Sequence, residues 1–461
     1  MGPFLKSENK TNKMMFHLLI SILPIVLFAI YKNGYIPYSH NKTNIIGLFM
    51  PLLFILIGSL TSFLCELIVT IIKKDDILNN IKNSYSFFPG LFLALVLPLN
   101  TPIYVLILGS LFATIFGKLI FGGFGKNIFN PALLGYIFVF ACFGTMISSN
   151  TYFNAYEIDV ITSPTPLTNA SMQDGIGNYN NLVKPYGNLL NFFIGTIPGS
   201  IGEVSSFLCL LAFAYLTYMN VIKWKISVSY ISTAFIITFI IARILGAGIY
   251  YPVFQILSGG LLFGAVFMAT DPVTSPVTSV GQILHGMFLG IFTMLFRFLG
   301  VEGVATSIIL MNLFVPLFDK IGSKSRFELS KSLIWFILVW LLIIFTGIYI
   351  ARINKNTNFN LISKEVINNQ VIFIATQKGY GGEIKAKVVF ENNKLVDYEI
   401  ISHNETKEKY SLIEKNDYIN KIKTNYNNLD DVDTVSSATI TSKALKDLIK
   451  NVMEVQKWKI F

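Results

Sequence analysis

GLFLALVLPLNTP at residues 90–102 and GLLFGAVFMATDP at residues 260–272 share one layout: a leading glycine, a short apolar run and a closing turn that ends in proline. Both lie among longer apolar runs, near residues 14–31, 44–72, 87–99, 102–120, 129–148, 204–222, 227–245, 250–270, 281–299, 303–318 and 333–351. About 20 mostly apolar residues cross a bilayer as a helix, so these read as about eleven spans. The run at 87–99 is short for a full crossing. Short segments broken by Gly and Pro are the pattern of discontinuous helices that line a site.

Composition agrees with a membrane protein. Of 461 residues, 53% are hydrophobic and only 13% charged, against about 25% charged in soluble domains. The formal charge of +10 resides mainly in short loops beside apolar runs rather than in a dense basic tract, which argues against nucleic acid as a partner. Cys65, Cys142 and Cys209 fall far apart inside apolar runs. They suit neither a disulfide framework nor a CxxC site and read as small buried hydrophobes. The charged N-terminus lacks a small-residue cleavage site after its first apolar run, so that run is expected to be a retained helix.

Loop charges set the expected orientation. With residues 1–13 in the cytoplasm, the inner loops hold about 14 Lys and Arg and the outer loops before the last helix about 3, as the positive-inside rule requires. Lys73, Lys74, Lys223, Lys225, Lys320, Lys324 and Arg326 are among the inner ones. The loop 149–203 and everything after residue 351 are then extracytoplasmic. In this topology the copy at 90–102 runs outward and the copy at 260–272 inward. The expectation is a polytopic α-helical protein of about 10 spans in a five-plus-five inverted repeat, with one added anchor helix. Residues 14–320 form the membrane domain and 321–351 the linker and anchor. Residues 352–461 are polar, with strand-like runs at 371–376, 384–390 and 395–402 and a helical stretch near 441–454, an α+β domain outside the membrane.

Two hydroxyl-rich stretches carry the functional signal. DVITSPTPL runs from Asp159 to Leu167 in the outer loop, and DTVSSATIT from Asp433 to Thr441 at the start of the last helix. Both have the form Asp-x-x-(Ser/Thr)-Ser-(Ala/Pro)-Thr, and loop charge places both outside. Such Ser/Thr loops also serve as ordinary helix caps.

The DxxSxAT pattern resembles the site at which a flavin transferase links the phosphate of FMN to the last threonine in Rnf and Nqr complexes. Residues 14–320 resemble their D/B subunits and residues 333–461 their G/C subunits, joined end to end. The resemblance makes Thr165 and Thr439 covalent FMN carriers, with Ser436, Ser437 and Ala438 flanking the second. Ser163-Pro164 and Ser437-Ala438 stand where the family has Gly-Ala.

GFGKNIFNPALLGY, from Gly123 to Tyr136, resembles the Asn-rich motif associated with a non-covalent riboflavin in the D/B subunits. Asn127 and Asn130 are three apart, which places them on one helix face with amides aimed at an isoalloxazine edge; a helix cap at Asn127 is the plain alternative. Asp271, in MATDPVTSP, is a candidate for an ion or proton path and equally for capping the next turn. Arg297 and Glu302 flank a helix end, as a pair or as interfacial residues, and Asn312 lies inside a span. GYGGEI at 379–384 and SHNET at 402–406 match Rnf G-like segments, where glycines admit a flavin ring and His403 or Thr406 would touch it. Lys407-Glu408-Lys409 replaces the family's glycine-rich continuation.

The resemblance implies a flavoprotein of a prokaryotic cell membrane. It would pass electrons between two FMN groups and a riboflavin, coupled to Na+ or H+ transport. Its partners would be sibling Rnf-type subunits, the bilayer and the flavin transferase. A stand-alone relay to extracellular acceptors and an inverted-repeat solute transporter are the alternatives.

Overall fold

A computed structural model of the chain describes residues 11–74, 76–148, 166–167, 179–203, 205–300, 303–325, 329–356, 359–367, 370–391, 394–435 and 438–457. Thr165, Glu302, Ser436 and Ser437 lie outside the described residues. The chain divides into two units, Met1–Ala351 and Arg352–Phe461.

The first unit is helical. Among the described residues, five helices are long and apolar enough to cross a bilayer: Thr11–Ser39, Ile45–Lys73, Trp224–Ile244, Ser279–Phe298 and Leu333–Arg352. Two more runs are bent, Tyr250–Leu257 with Leu261–Met268 by 62° and Gly303–Leu313 with Val315–Ser323 by 57°. Ile103–Leu119, Pro131–Gly144 and Ser206–Tyr218 are shorter, and the run at 87–99 contains the 9-residue helix Phe88–Val96. The eleven expected runs are therefore helical, but five are full-length helices, or up to seven with each bent pair taken as one span. The break at 258–260 follows from Gly259 and Gly260, both at positive φ (+63° and +66°), a conformation glycine adopts without a Cβ penalty.

The two quoted segments meet inside this unit. Helix Phe88–Val96 stops at Leu97, whose extended ψ of 149° is what a following proline, Pro98, favours. The ring of Phe92 lies 6.4 Å from Phe263 and 6.2 Å from Phe267, on the second segment. The N–H of Gly202 donates to Leu95 O at 2.7 Å, which ties the end of the 149–203 stretch to the first segment. Close helix approach uses small residues, as packing within a bilayer favours. A Cβ on Gly90 would strike the carbonyl of Gly58, and Gly286 and Gly290 admit helix Trp224–Ile244 at Ile226, Tyr230 and Thr233. Anchor helix Leu329–Asn356 buries Val339, Ile343, Thr346 and Ile350, four positions on one helical face. Its Gly347 sits against Ile240.

Cys65 and Cys209 are buried as expected, whereas Cys142 is exposed. It lies on the exposed side of helix Pro131–Ser148, so the expectation of a buried residue fails there.

The second unit is a four-stranded antiparallel meander of β1 (Phe359–Ile367), β2 (Gln370–Lys378), β3 (Glu383–Glu391) and β4 (Lys394–His403), in sequence order. Strand β1 was not among the expected runs. Helices Lys407–Lys415 and Tyr418–Thr424 follow, and the last helix is Thr439–Lys457. Alternation along β3 points Ile384, Ala386, Val388 and Phe390 inward, as the two-residue period of a strand dictates. They meet Leu445, Leu448, Ile449 and Val452 of the last helix.

Candidate functional site

Three separate stretches of the second unit converge on one carboxyl group. Glu405 follows β4 and is buried. Its Oε2 accepts the N–H of Gly381 at 3.1 Å and the hydroxyl of Thr441 at 3.0 Å. The β2–β3 turn comes close enough for this because it is glycine. A Cβ on Gly381 would lie 2.8 Å from Asn404 O and 3.0 Å from Glu405 Cα, and one on Gly379 would strike Glu405 Oε1. That Oε1 is buried and has no hydrogen-bond partner among the described residues. The GYGGEI, SHNET and DTVSSATIT stretches thus form one site.

Within it, the first turn of the last helix has two faces. Thr439 is exposed while Thr441 and Ser442 are buried. Ser442 donates its hydroxyl to Ala438 O at 2.8 Å and accepts the N–H of Val435 at 3.1 Å, which fixes the approach to the helix. Thr439 therefore presents an accessible hydroxyl at a helix N-terminus, where unsatisfied N–H groups and the helix dipole favour a phosphate. Thr406 is exposed at the N-terminus of helix Lys407–Lys415 and makes no side-chain cap bond. His403, expected to be an ordinary surface residue or a ring contact, is half-buried and stacked on Tyr410 with ring centroids 3.5 Å apart. Burial pushes the Tyr410 phenol above its usual range, with Glu414 adding to the effect.

In the first unit a cleft is lined by Tyr85, Phe88, Phe124, Phe267, Lys118, Asn127, Asn130 and Asp271, among others. Asn127 and Asn130 do not share a helix face. They lie in the loop before helix Pro131–Ser148, because Pro131 is suited to a first helical position and Asn130 caps it. Asn130 Oδ1 accepts the N–H groups of Ala132 at 3.1 Å and Leu133 at 3.4 Å, and its Nδ2 donates to Met268 O at 3.3 Å. The cap assigned to Asn127 as an alternative belongs to Asn130. Asn127 Nδ2 donates to Phe129 O at 3.0 Å. Asn312 accepts the N–H of Asn130 at 3.1 Å and donates to Thr274 O at 2.9 Å, so it joins this loop to the turn after the second repeated segment.

Asp271 is held in that turn. Its Oδ2 accepts the Thr274 hydroxyl at 3.0 Å and its carbonyl that of Ser275 at 2.6 Å. Lys223 donates to Pro272 O and Ser275 O at 3.3 and 2.9 Å. Arg297 donates to the carbonyls of Gln255, Ser258 and Gly259 at 2.6, 3.1 and 3.1 Å. At the cleft wall, Lys118 Nζ donates to Glu66 Oε2 and to Ser84 O, both at 2.6 Å, and to Ser84 Oγ at 2.9 Å. Ionisable residues inside apolar spans are a recognised signal, but sequence does not pair Lys118 with Glu66, 52 positions away, nor Glu405 with Gly381 and Thr441, 24 and 36 positions away.

The sequence pattern of the NQR2, RnfD, RnfE family matches residues 1–328. The chain belongs to that family. Residues 379–454 match the FMN-binding domain, so a D-type membrane unit and an FMN-binding domain are fused in one polypeptide. The chain is 32% identical over 332 residues to the D subunit of the proton-translocating ferredoxin:NAD(+) oxidoreductase complex of Clostridium ljungdahlii, covering 71% of this chain and 94% of the relative. It is 30% identical over 334 residues to the Na(+)-translocating counterpart of Acetobacterium woodii, covering 72% and 95%. The B subunit of the Na(+)-translocating NADH-quinone reductase of Klebsiella pneumoniae is 32% identical over 276 residues, 58% of this chain and 65% of that protein.

Proposed function

We propose that this chain is a flavin-carrying electron-transfer subunit of an Rnf-type ion-translocating oxidoreductase in a prokaryotic cell membrane. The observation that carries the reading is Thr439, the last residue of DTVSSAT. Its exposed hydroxyl opens the last helix, inside the stretch matched to the FMN-binding domain. The donor set suits FMN: an accessible hydroxyl for the phosphoester, helix N–H groups for phosphate oxygens and a glycine turn beside them. FMN, when bound, supplies the redox chemistry, and the protein supplies attachment, spacing and electrostatics. By the same motif Thr165 is the second carrier.

The cleft of the first unit is the site proposed for a non-covalent riboflavin. Aromatic walls with a few amides are the composition that a planar, polar-edged ring needs. Asn127 is the residue to present an amide to its edge, while Asn130, committed to its cap, shapes the wall. Asp271 and its hydroxyl-rich turn belong to the ion path in this reading. The relatives include both a proton-translocating and a Na(+)-translocating complex.

The five-plus-five inverted repeat, with the N-terminus inside and residues 352–461 outside, is part of the same proposal. The orientation rests on the loop charges, and the repeat has support in a likeness of two cations. Near the ends of their helices, Lys118 donates to the carbonyl of Ser84, before the first segment, and Arg297 to those of Gln255, Ser258 and Gly259, before the second. Sibling subunits would supply the remaining redox centres and a flavin transferase the attachment.

The test is flavin fluorescence in denaturing gels after co-expression with a flavin transferase. Thr165→Ala and Thr439→Ala should each remove part of the signal and the double variant all of it. Unchanged signal in the double variant overturns the reading.

A further inference from the structure

We infer that Tyr380 and Lys409 form the platform that receives the isoalloxazine ring of the flavin carried by Thr439, an inference that rests on the attachment proposed above. Tyr380 is 59% exposed, a large aromatic side chain held out on a glycine turn. Its neighbour Gly381 and the helix residue Thr441 bind the same oxygen, Glu405 Oε2. Tyr380 is one residue from one of these contacts and Thr439 two residues from the other. The backbone that carries the phosphate and the turn that carries the aromatic face thus meet across a single carboxylate oxygen. Consecutive Cα atoms are about 3.8 Å apart, so the few residues that separate Thr439 and Tyr380 from this shared contact keep both within the span of a ribityl-phosphate arm.

Lys409 completes the arrangement. Its Nζ lies 5.9 Å from the centre of the Tyr380 ring. It stands in the first turn of helix Lys407–Lys415, directly after the Glu405 and Thr406 stretch, so a cation and an aromatic face stand in the same region. Aromatic faces stack on planar rings with an offset. A nearby ammonium favours whichever redox form carries more negative charge, by the same electrostatics that shift a pKa. The reduced flavin ring is that form, so Lys409 raises its potential.

The experiment uses the full chain with Thr165→Ala, so that Thr439 alone carries covalent flavin. Occupancy is read by peptide mass, and the Thr165→Ala, Thr439→Ala chain provides the background from any loosely held flavin. A stacked phenol lends an electron to the excited flavin and takes it back, which shortens the fluorescence lifetime. Tyr380→Ala and Tyr380→Phe should lengthen the lifetime several-fold at unchanged occupancy, and Tyr380→Trp should keep it short. Lys409→Met should move the midpoint potential to a more negative value, and Lys409→Arg should not. Unchanged lifetimes in both Tyr380→Ala and Tyr380→Phe, with flavin mass on Thr439, overturn the stacking, and an unchanged potential in Lys409→Met overturns the cation's role. Absence of flavin mass on Thr439 instead overturns the attachment itself.

Discussion

The Nζ of Lys118 lies 2.6 Å from Oε2 of Glu66, and the two side chains expose only 3% and 4% of their surface. Ser84 closes the cluster, donating its hydroxyl to Glu66 Oε1 and accepting from Lys118 through both its oxygens. A buried pair of this kind is held together by the cost of breaking it. Removing one partner leaves an uncompensated charge, typically about 3–5 kcal/mol, whereas replacing both by apolar groups of similar volume is often close to neutral. Lys118→Met and Glu66→Gln should therefore each lower the melting temperature of the detergent-solubilised chain, and Lys118→Met with Glu66→Met should recover part of the loss. A double variant less stable than both singles would show that the pair contributes net stability.

Asn127 and Asn130 should separate in their effects. Asn130→Ala removes a helix cap, about 1 kcal/mol, and strips the donor from Met268 O, so stability falls first. Asn127→Ala removes one bond, to Phe129 O, and should lower the amount of non-covalent flavin released on denaturation while the melting temperature holds. The measurement is released flavin per mole alongside a thermal melt. Equal flavin loss in both variants at equal stability would remove the distinction.

How much of this was legible in sequence depended on range. The apolar runs are local, so their helical character was readable, but 250–270 reads as one run although Gly259 and Gly260 break it into two helices. Strand β1 was not readable. It is the edge of the sheet, with Ile362 and Val366 exposed, so no alternation of burial marks it. Asn130 misled for another reason. Three-residue spacing implies a shared face only inside a helix, and its partner Met268 is 138 residues away. Glu405 and Thr441 stood inside stretches already singled out by motif, but nothing in either stretch showed that the two bind each other across 36 residues. Motifs named the site; long-range contacts gave its geometry.

The sheet unit should show a small acid sensitivity traceable to one pair. The hydrogen bond from Lys423, at 2.8 Å, holds the Asp397 carboxyl below the usual carboxylate range. A carboxyl depressed in the folded state contributes stability above its unfolded pKa and loses it as pH falls through the lowered folded value. Both side chains are partly exposed, 36% and 46%, so solvent screening limits the contribution to about 0.2–1 kcal/mol. Asp397→Asn should reduce stability slightly at neutral pH and not at strongly acid pH, with the difference shrinking in high salt. A difference that persists at acid pH would assign the effect to packing.

Thr439 and Thr441, two residues apart on one helix turn, should fail in opposite ways. Thr441→Val keeps the shape of the side chain but takes the hydroxyl from Glu405 Oε2. Gly381 N–H is then the remaining donor to that oxygen among the described residues, and Oε1 already has none. A buried acceptor deprived of its donor costs about 1–3 kcal/mol, so the melting temperature of the second unit should fall, and the glycine turn should become more open to protease. The acceptor hydroxyl at Thr439 is untouched, so covalent flavin should still appear on that peptide by mass. Thr439→Ala has the reverse signature, since the side chain it truncates is exposed to solvent and carries little stability. It should melt within about 0.5 kcal/mol of the parent chain and carry no flavin on the last helix. Should Thr441→Val lose the flavin mass while remaining folded, the attachment point would move two residues along the helix, to the hydroxyl that faces Glu405.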